Sequence, residues 1–230
     1  MSLLLVLATL VGAPSPAAGD WRAKVAAYVR ANEGAIFREF VELLSLPNLA
    51  SDTPGIRRNA EHIVKMLERR GVSAWLLDGE GGPNPVYGEL LVPGARRTVL
   101  FYAHYDGQPV DPGKWASPPW TPTLRDKPLH EGGRDLPLES APLSGEWRLY
   151  ARSTGDDKAP VVGFLAALDA LKAASVRPSV NLKFFFEGEE EAGSSHMAAV
   201  LGRNRDLLRA DAWVLCDGPV HQTRRMQVFF

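Results

Sequence analysis

Cysteine is almost missing from this sequence: Cys216 stands alone in 230 residues. A lone thiol excludes an intramolecular disulfide and any multi-cysteine zinc knuckle, so a metal would have to be held by imidazole and carboxylate. A basic excess is missing too. Lys and Arg total 26 against 27 Asp and Glu, a formal net charge of -1, which leaves no positive field for a phosphate backbone or an anionic lipid surface. Neither nucleic acid nor a membrane is an expected partner. No apolar run reaches the length of a membrane-spanning helix; SLLLVLATLVGA, over residues 2–13, falls short and is followed by the small-residue segment PSPAAGD. That pairing reads as a signal peptide over residues 1–19, cleaved near Ala18 or Gly19, although no Lys or Arg precedes the run. It implies a secreted or periplasmic protein; read as an ordinary N-terminal tail, the same segment leaves a cytoplasmic one. G-x-S-x-G is also absent, and Ser153, Ser194 and Ser195 have no evident triad, which argues against a nucleophilic hydrolase.

What is present is ordinary globular material, 45% hydrophobic and 23% charged, enough for one sizeable core. Helical spacing over residues 20–50, interrupted at Glu33 and Gly34 and stopped at Pro47, predicts two short helices. Residues 51–71 predict a helix capped by Ser51 or Asp52 and closed by Arg69, Arg70 and Gly71. VSAWLLD, PVYGELLV and RTVLFYAHYD read as strands, the last with a buried run over residues 99–103 that ends at His104. Residues 107–150 are dense in Pro and Gly, with Trp115, Trp120 and Trp147 and little periodicity, as in a functional or disordered loop. DDKAPVVGFLAALDALKAA predicts a helix, VNLKFFFEG a central strand, GSSHMAAVLGRNRDLL a helix and DAWVLCDG a further strand. Strands alternating with helices imply parallel crossovers, hence an α/β fold with a mostly parallel sheet sandwiched by helices. The closing RRMQVFF reads as a strand with nothing polar to finish it, as in a chain cut short.

Open α/β sheets bind ligands outside the carboxyl ends of their strands, and acids collect there. His104 and Asp106 follow one strand, Asp156 and Asp157 precede a helix, Glu187, Glu189, Glu190 and Glu191 crowd FFFEGEEEAGS, and Asp217 follows the last apolar strand. Each has a plain structural reading. Asp156 or Asp157 fits a helix N-cap with Pro160 in the first turn, and His104 alone fits a hydrogen-bonded core histidine. Glutamates at a helix start each gain roughly 0.3–1 kcal/mol from the dipole. That gain is comparable to the repulsion among the clustered acids, so it does not explain the cluster. Asp106 is placed to take the second N–H of a metal-bound imidazole, and Asp217 would be costly to bury without a partner. One imidazole with several converging carboxylates suits zinc or manganese better than calcium. Elsewhere, His196 fits a helix face and Cys216 a small buried hydrophobe. His62, His130 and His221 fit surface or loop positions, and Trp115 and Trp120 fit packing within the long loop.

AHYDGQPV, the W.SPPW.P pattern before LYARSTGDDKAP, FFFEGEEEAGS and the aspartate of VLCDGP occur in this order. Together they resemble the M20 metallopeptidases, in the dipeptidase branch related to carnosinase and the cytosolic non-specific dipeptidase. The likeness runs from about Phe37 to the end and covers the N-terminal part of that family's catalytic domain, a zinc-exopeptidase-like fold. It implies that residues 20–230 belong to that domain and that the lid domain and C-terminal part are absent. By the same resemblance, His104 is a terminal ligand of one zinc and Asp106 the carboxylate that orients it. Asp156 bridges two metals, Asp157 is an adjacent motif acid, Glu190 is the general base, Glu191 binds the second zinc and Asp217 completes the first. Ala151, Ser153 and Ala159 stand where many members have glycine.

The resemblance implies metal-assisted hydrolysis of the amide bond in dipeptides or short peptides, with two zinc ions per complete site and manganese or cobalt as substitutes. The second zinc takes a further histidine from far toward the C-terminus of the family, and the lid lends substrate-binding groups and dimer contacts. This chain stops before either, so little turnover is expected of these 230 residues alone. An N-acyl amino acid deacylase shares the motifs and is the alternative enzyme; a metal-binding pseudoenzyme is the alternative non-enzyme, against which the presence of Glu190 weighs.

Overall fold

A computed structural model describes residues 20–218. The expected signal peptide, the closing RRMQVFF strand and His221 lie outside the described residues. In chain order the elements are α1 (Asp20–Leu44), α2 (Thr53–Glu68), β1 (Ser73–Leu76), β2 (Val86–Leu90), β3 (Thr98–His104), β4 (Thr123–Arg125), β5 (Asp135–Leu136), β6 (Arg148–Tyr150), α3 (Lys158–Ala173), β7 (Asn181–Glu187), α4 (Met197–Arg203) and β8 (Ala212–Leu215).

Five strands form the main sheet in the order β1-β2-β7-β3-β8. β7, β3 and β8 are parallel, whereas β1–β2 and β2–β7 are antiparallel. The α/β sheet is therefore mixed, and the reason is connectivity. β1 and β2 are joined by a loop, which permits an antiparallel hairpin, while parallel neighbours need a crossover long enough to hold a helix. The parallel half accordingly carries the helical crossovers, and it is this half that brings three strand ends to one edge.

Side chains of β7 alternate between two cores, as the period of a strand requires. Phe184 and Phe186 join Val86 and Ala103 against Ile63 and Leu67 of α2 and Val161 and Leu165 of α3. Phe185 faces the other way, with Tyr87 and Leu100, against Val200 of α4 and Leu208. Helices thus cover both faces.

The expected break at Glu33 and Gly34 does not occur; α1 is one helix of 25 residues. A glycine in a helix interior costs only about 1 kcal/mol relative to alanine, and tertiary contacts here outweigh that. Ile36, Phe40 and Leu43 beyond the glycine pack on the core, and Glu33 accepts a hydrogen bond from Leu143 N at 2.8 Å. The cap of α2 is Asp52, which accepts from Gly55 N at 3.2 Å, and Gly71 beyond its end takes the left-handed φ of 79°. Arg70 ties the three helices together through Glu39 at 2.7 Å and Asp169 at 2.8 Å.

The long Pro- and Gly-rich stretch is ordered as a second, three-stranded antiparallel sheet, β5-β4-β6. Its strands have two or three residues, too few for any alternation to show in the sequence. The helix expected over residues 193–208 is limited to Met197–Arg203, because Gly193 and Ser194 hold φ of 91° and 51° in the turn before it.

Candidate metal centre

Because β7, β3 and β8 run parallel, their carboxyl ends share one edge, and the loop before α3 meets them there. His104, the last residue of β3, is wholly buried. Its Nδ1 lies 3.2 Å from Asp106 Oδ1, and its Nε2 lies 2.9 Å from Asp156 Oδ1, 3.9 Å from Glu190 Oε2 and 4.0 Å from Asp217 Oδ1. Both ring nitrogens thus face carboxylates, Nδ1 the buried Asp106 and Nε2 the acids of the centre. Asp106, also wholly buried, does more than hold the imidazole. It accepts from Glu190 N at 3.1 Å and Glu191 N at 3.0 Å, so the turn after β7 hangs from the same carboxylate.

The FFFEGEEEAGS glutamates separate into three placements. Glu187 is buried and accepts from Tyr102 Oη at 2.7 Å. Glu189 accepts from His196 N at 2.7 Å and faces His196 Nδ1 at 2.9 Å, which closes the turn onto the start of α4. His196 is thus a partner of that turn as well as the residue preceding the helix. Glu190 and Glu191 point to the centre, and Gln108 Nε2 donates to Glu191 Oε2. Asp157 sits at the N-cap position of α3 without making a cap bond. Its carboxylate is buried and accepts instead from His104 N at 3.2 Å.

So much negative charge in one place shifts the acids. Burial pushes Asp157 up to about 8, with Asp217 and Asp156 adding to it. Burial also raises Glu190 and Asp217, helped by the carboxylates around each. At His104 burial acts downward, but Asp106, Asp157 and Asp156 prevail and leave it raised to about 10. These directions follow from burial and from the mutual repulsion of carboxylates gathered around one imidazole. Donor atoms of His104, Asp157 and Asp217, and of His104, Asp156 and Glu191, lie within 4.8 Å of one another. The donor set, imidazole and carboxylate without thiolate, fits zinc or manganese. All six expected residues, His104, Asp106, Asp156, Glu190, Glu191 and Asp217, meet at this edge. Asp157, read from the sequence as a motif acid or a cap, enters one donor group as well.

Several participants escaped the sequence. Tyr102 lies two residues before His104 on β3 and is the one that periodicity would have placed beside Glu187. Gln108 and Asn48 carry no charge and no pattern. Lys158 is wholly buried, donates to Leu43 O at 2.9 Å and Leu46 O at 3.1 Å, and so fixes α3 to the end of α1; burial pushes its ammonium well down. Trp120 donates to Asn48 Oδ1 at 2.9 Å, and Trp115 stacks under Arg152 at 5.1 Å, both within the ordered loop. His62 is half-buried and His130 exposed, while Cys216 is half-buried with its thiol raised by burial.

Peptidase family M20/M25/M40 matches residues 100–228. The Cys-Gly metallodipeptidase dug1 of Schizosaccharomyces pombe is 29% identical over 191 residues, covering 76% of this chain and 35% of that protein. Human Beta-Ala-His dipeptidase is 32% identical over 134 residues, covering 57% of this chain and 22% of that one. The crystal structure of human carnosine dipeptidase 1 superposes with a TM-score of 0.70 at 24% identity, over 89% of this chain and 42% of that one, a likeness of fold. The chain spans well under half the length of each. With the match covering more than half of its residues, the chain belongs to peptidase family M20/M25/M40.

Proposed function

We propose that residues 20–230 are the N-terminal part of the catalytic domain of a metal-dependent dipeptidase, which cleaves the amide bond of dipeptides or short peptides. His104, Asp156 and Asp217 would hold one divalent cation, and Asp156 with Glu191 the other. Such cations supply polarisation of the scissile carbonyl and a water of near-neutral pKa. Glu190 accepts that water's proton and returns it to the leaving amine, a role that needs a carboxylate beside the ligands rather than among them. Its raised pKa, caused by burial and by the carboxylates around it, makes it a stronger base than an ordinary glutamate. Asp106 keeps the imidazole oriented throughout. The observation that carries this reading is the shared anchor: one buried carboxylate, Asp106, holds the imidazole of His104 and the backbone of both Glu190 and Glu191.

The test uses the whole protein of which this chain is part, offered dipeptides beside N-acetyl and N-succinyl amino acids, with and without EDTA. Dipeptide turnover is expected to vanish with chelator and return with zinc or manganese. Glu190→Gln is expected to bind metal as wild type does while losing at least about 100-fold in turnover; Glu191→Gln is expected to lose metal. Undiminished turnover in Glu190→Gln would remove the base, and a preference for acylated amino acids would replace the dipeptidase reading with a deacylase. The leader reading of residues 1–19 is tested separately, by the N-terminal sequence of the mature protein. Among the described residues no helix is long and apolar enough to cross a membrane.

A further inference from the structure

Asn48, in the connection between α1 and α2, is wholly buried, and its side chain is fully used. Nδ2 donates to Tyr105 O at 2.7 Å and to Ser153 Oγ at 2.8 Å, while Oδ1 accepts from Trp120 Nε1 at 2.9 Å. The partners settle which end of the amide is which, because a backbone carbonyl only accepts and an indole N–H only donates. The Ser153 hydroxyl passes the chain on by donating to Asp106 O at 3.2 Å. Asn48 O in turn accepts from Gly107 N at 3.0 Å. Three consecutive residues after β3 are therefore tied, through Asn48 and Ser153 together, to the loop that ends in Asp156 and Asp157.

Two features of the backbone are arranged around this contact. Ser153 has a φ of 64°, in the left-handed region, where a side chain costs roughly 1–2 kcal/mol and glycine costs nothing. Strain of this kind persists where surrounding contacts hold it, and the hydroxyl that Ser153 gains over glycine is the one that bridges Asn48 to Asp106 O. On the other side, a Cβ on Gly107 would lie 2.5 Å from Ser153 Oγ, so the absence of a side chain there makes room for the hydroxyl. Asp156, three residues on, has a side chain that is 69% exposed, so little packing holds it in place. Its separation from His104 depends on how its loop is fixed to the end of β3.

We infer that Asn48 is a positioning residue for the metal centre, clamping, through the Ser153 hydroxyl, the Asp156 loop to the strand end that carries His104 and Asp106. The inference rests on the metal-centre reading above and adds to it a part that touches neither metal nor substrate. Residues that support metal ligands in this indirect way commonly change affinity by about 10-fold to 100-fold when lost.

The test measures zinc affinity by competition with a chromophoric chelator, alongside thermal unfolding and hydrogen exchange, in wild type, Asn48→Ala, Ser153→Ala, Ser153→Gly and the Asn48→Ala/Ser153→Ala double variant. Each single variant is expected to weaken zinc binding by about 10-fold, and the double variant by less than the product of the two, since the changes share the Asn48–Ser153 bond. Ser153→Ala and Ser153→Gly remove the same hydroxyl, but only the glycine relieves the backbone. Equal losses of affinity with unequal melting temperatures therefore mark positioning. Affinity that follows the melting temperature across the series marks a merely structural role and overturns the inference. If wild type binds no metal, the metal-centre reading falls, and exchange decides the clamp alone. Faster exchange in Asn48→Ala over both residues 104–108 and 152–158, with α2 unchanged, supports it, and unchanged protection at the two loops overturns it.

Discussion

β7 and β8 lie on either side of β3, run parallel to it and deliver carboxylates to the same edge, yet they are built differently. β7 carries three consecutive phenylalanines with at most 1% exposure, packed on both faces of the sheet. All four residues of β8 are exposed. The difference continues into the ligands. The turn after β7 is fastened by two backbone hydrogen bonds to Asp106, whereas Asp217 approaches His104 only to 4.0 Å, from beyond the outermost strand among the described residues. The hydrogen bonds that fasten this edge thus lie with β3 and β7, and β8 adds a carboxylate to a site that its neighbours have shaped.

The largest effect that would break this comparison lies in the phenylalanine strand. Phe186 is wholly buried and stacks on Phe164 with ring centroids 6.2 Å apart and planes 5° from parallel. Phe186→Ala is expected to lower stability by about 3–5 kcal/mol, measured by urea denaturation, and to weaken zinc binding with it. A loss no larger than that of a β8 surface substitution would show that β7 does not carry the site.

Next comes the anchor itself. Asp106→Ala would leave Glu190 N, Glu191 N and His104 Nδ1 without their acceptor and is expected to cost about 10-fold to 100-fold in metal affinity. It also destabilises the metal-free chain, since buried donors lose their partner. Asp217→Asn should weaken metal binding as well, but without that destabilisation, because burial and the charge of Asp156 already disfavour its ionised form. Calorimetry of the metal-free variants distinguishes the two.

These contrasts bear on what the sequence made legible. The strand FFF and the acids after it were readable because alternation and charge density are local, and so were His104 with Asp106 two residues on. Asn48 was not, since an uncharged loop residue gains meaning only from contacts 57 and 105 residues away. Asp157 was readable as an acid before a helix, but its turn inward to His104 N is a tertiary choice over an available cap. The mixed pairing of the sheet and the small β5-β4-β6 sheet escaped for the same reason: each depends on which segments meet rather than on any one segment's pattern. Gly34 shows the reverse case, a local breaker overruled by the packing of Ile36, Phe40 and Leu43 beyond it.

pH acts on the same centre. In the metal-free chain Asp157, raised to about 8 from 3.8, keeps a proton that the unfolded chain has released, so stability falls as pH rises between those values. His104, raised to about 10 from 6.5, acts with the same sign: its contribution is complete below 6.5 and is lost as pH rises through 10. Zinc reverses the trend, because its ligands must shed their protons to bind. Melting temperatures in EDTA should therefore decline from pH 5 to about 9, while the increment added by zinc grows over the same range. Parallel curves with and without zinc would mean that His104 does not hold the metal.

The smallest effect belongs to β8. Leu215 is 65% exposed, so Leu215→Ser removes little buried area and is expected to change stability by no more than about 0.5 kcal/mol. Trp213 is the stricter case, at 39% exposure and with its ring 6.2 Å from Phe185 in an edge-on contact. Trp213→Ala should cost more than Leu215→Ser, since the ring contact alone adds about 0.5–1.5 kcal/mol to the area lost, and less than Phe186→Ala, whose ring is wholly buried. If it costs as much, β8 is packed into the core as firmly as β7, and Asp217 would have to be regarded as held in place rather than as charge added to a finished site.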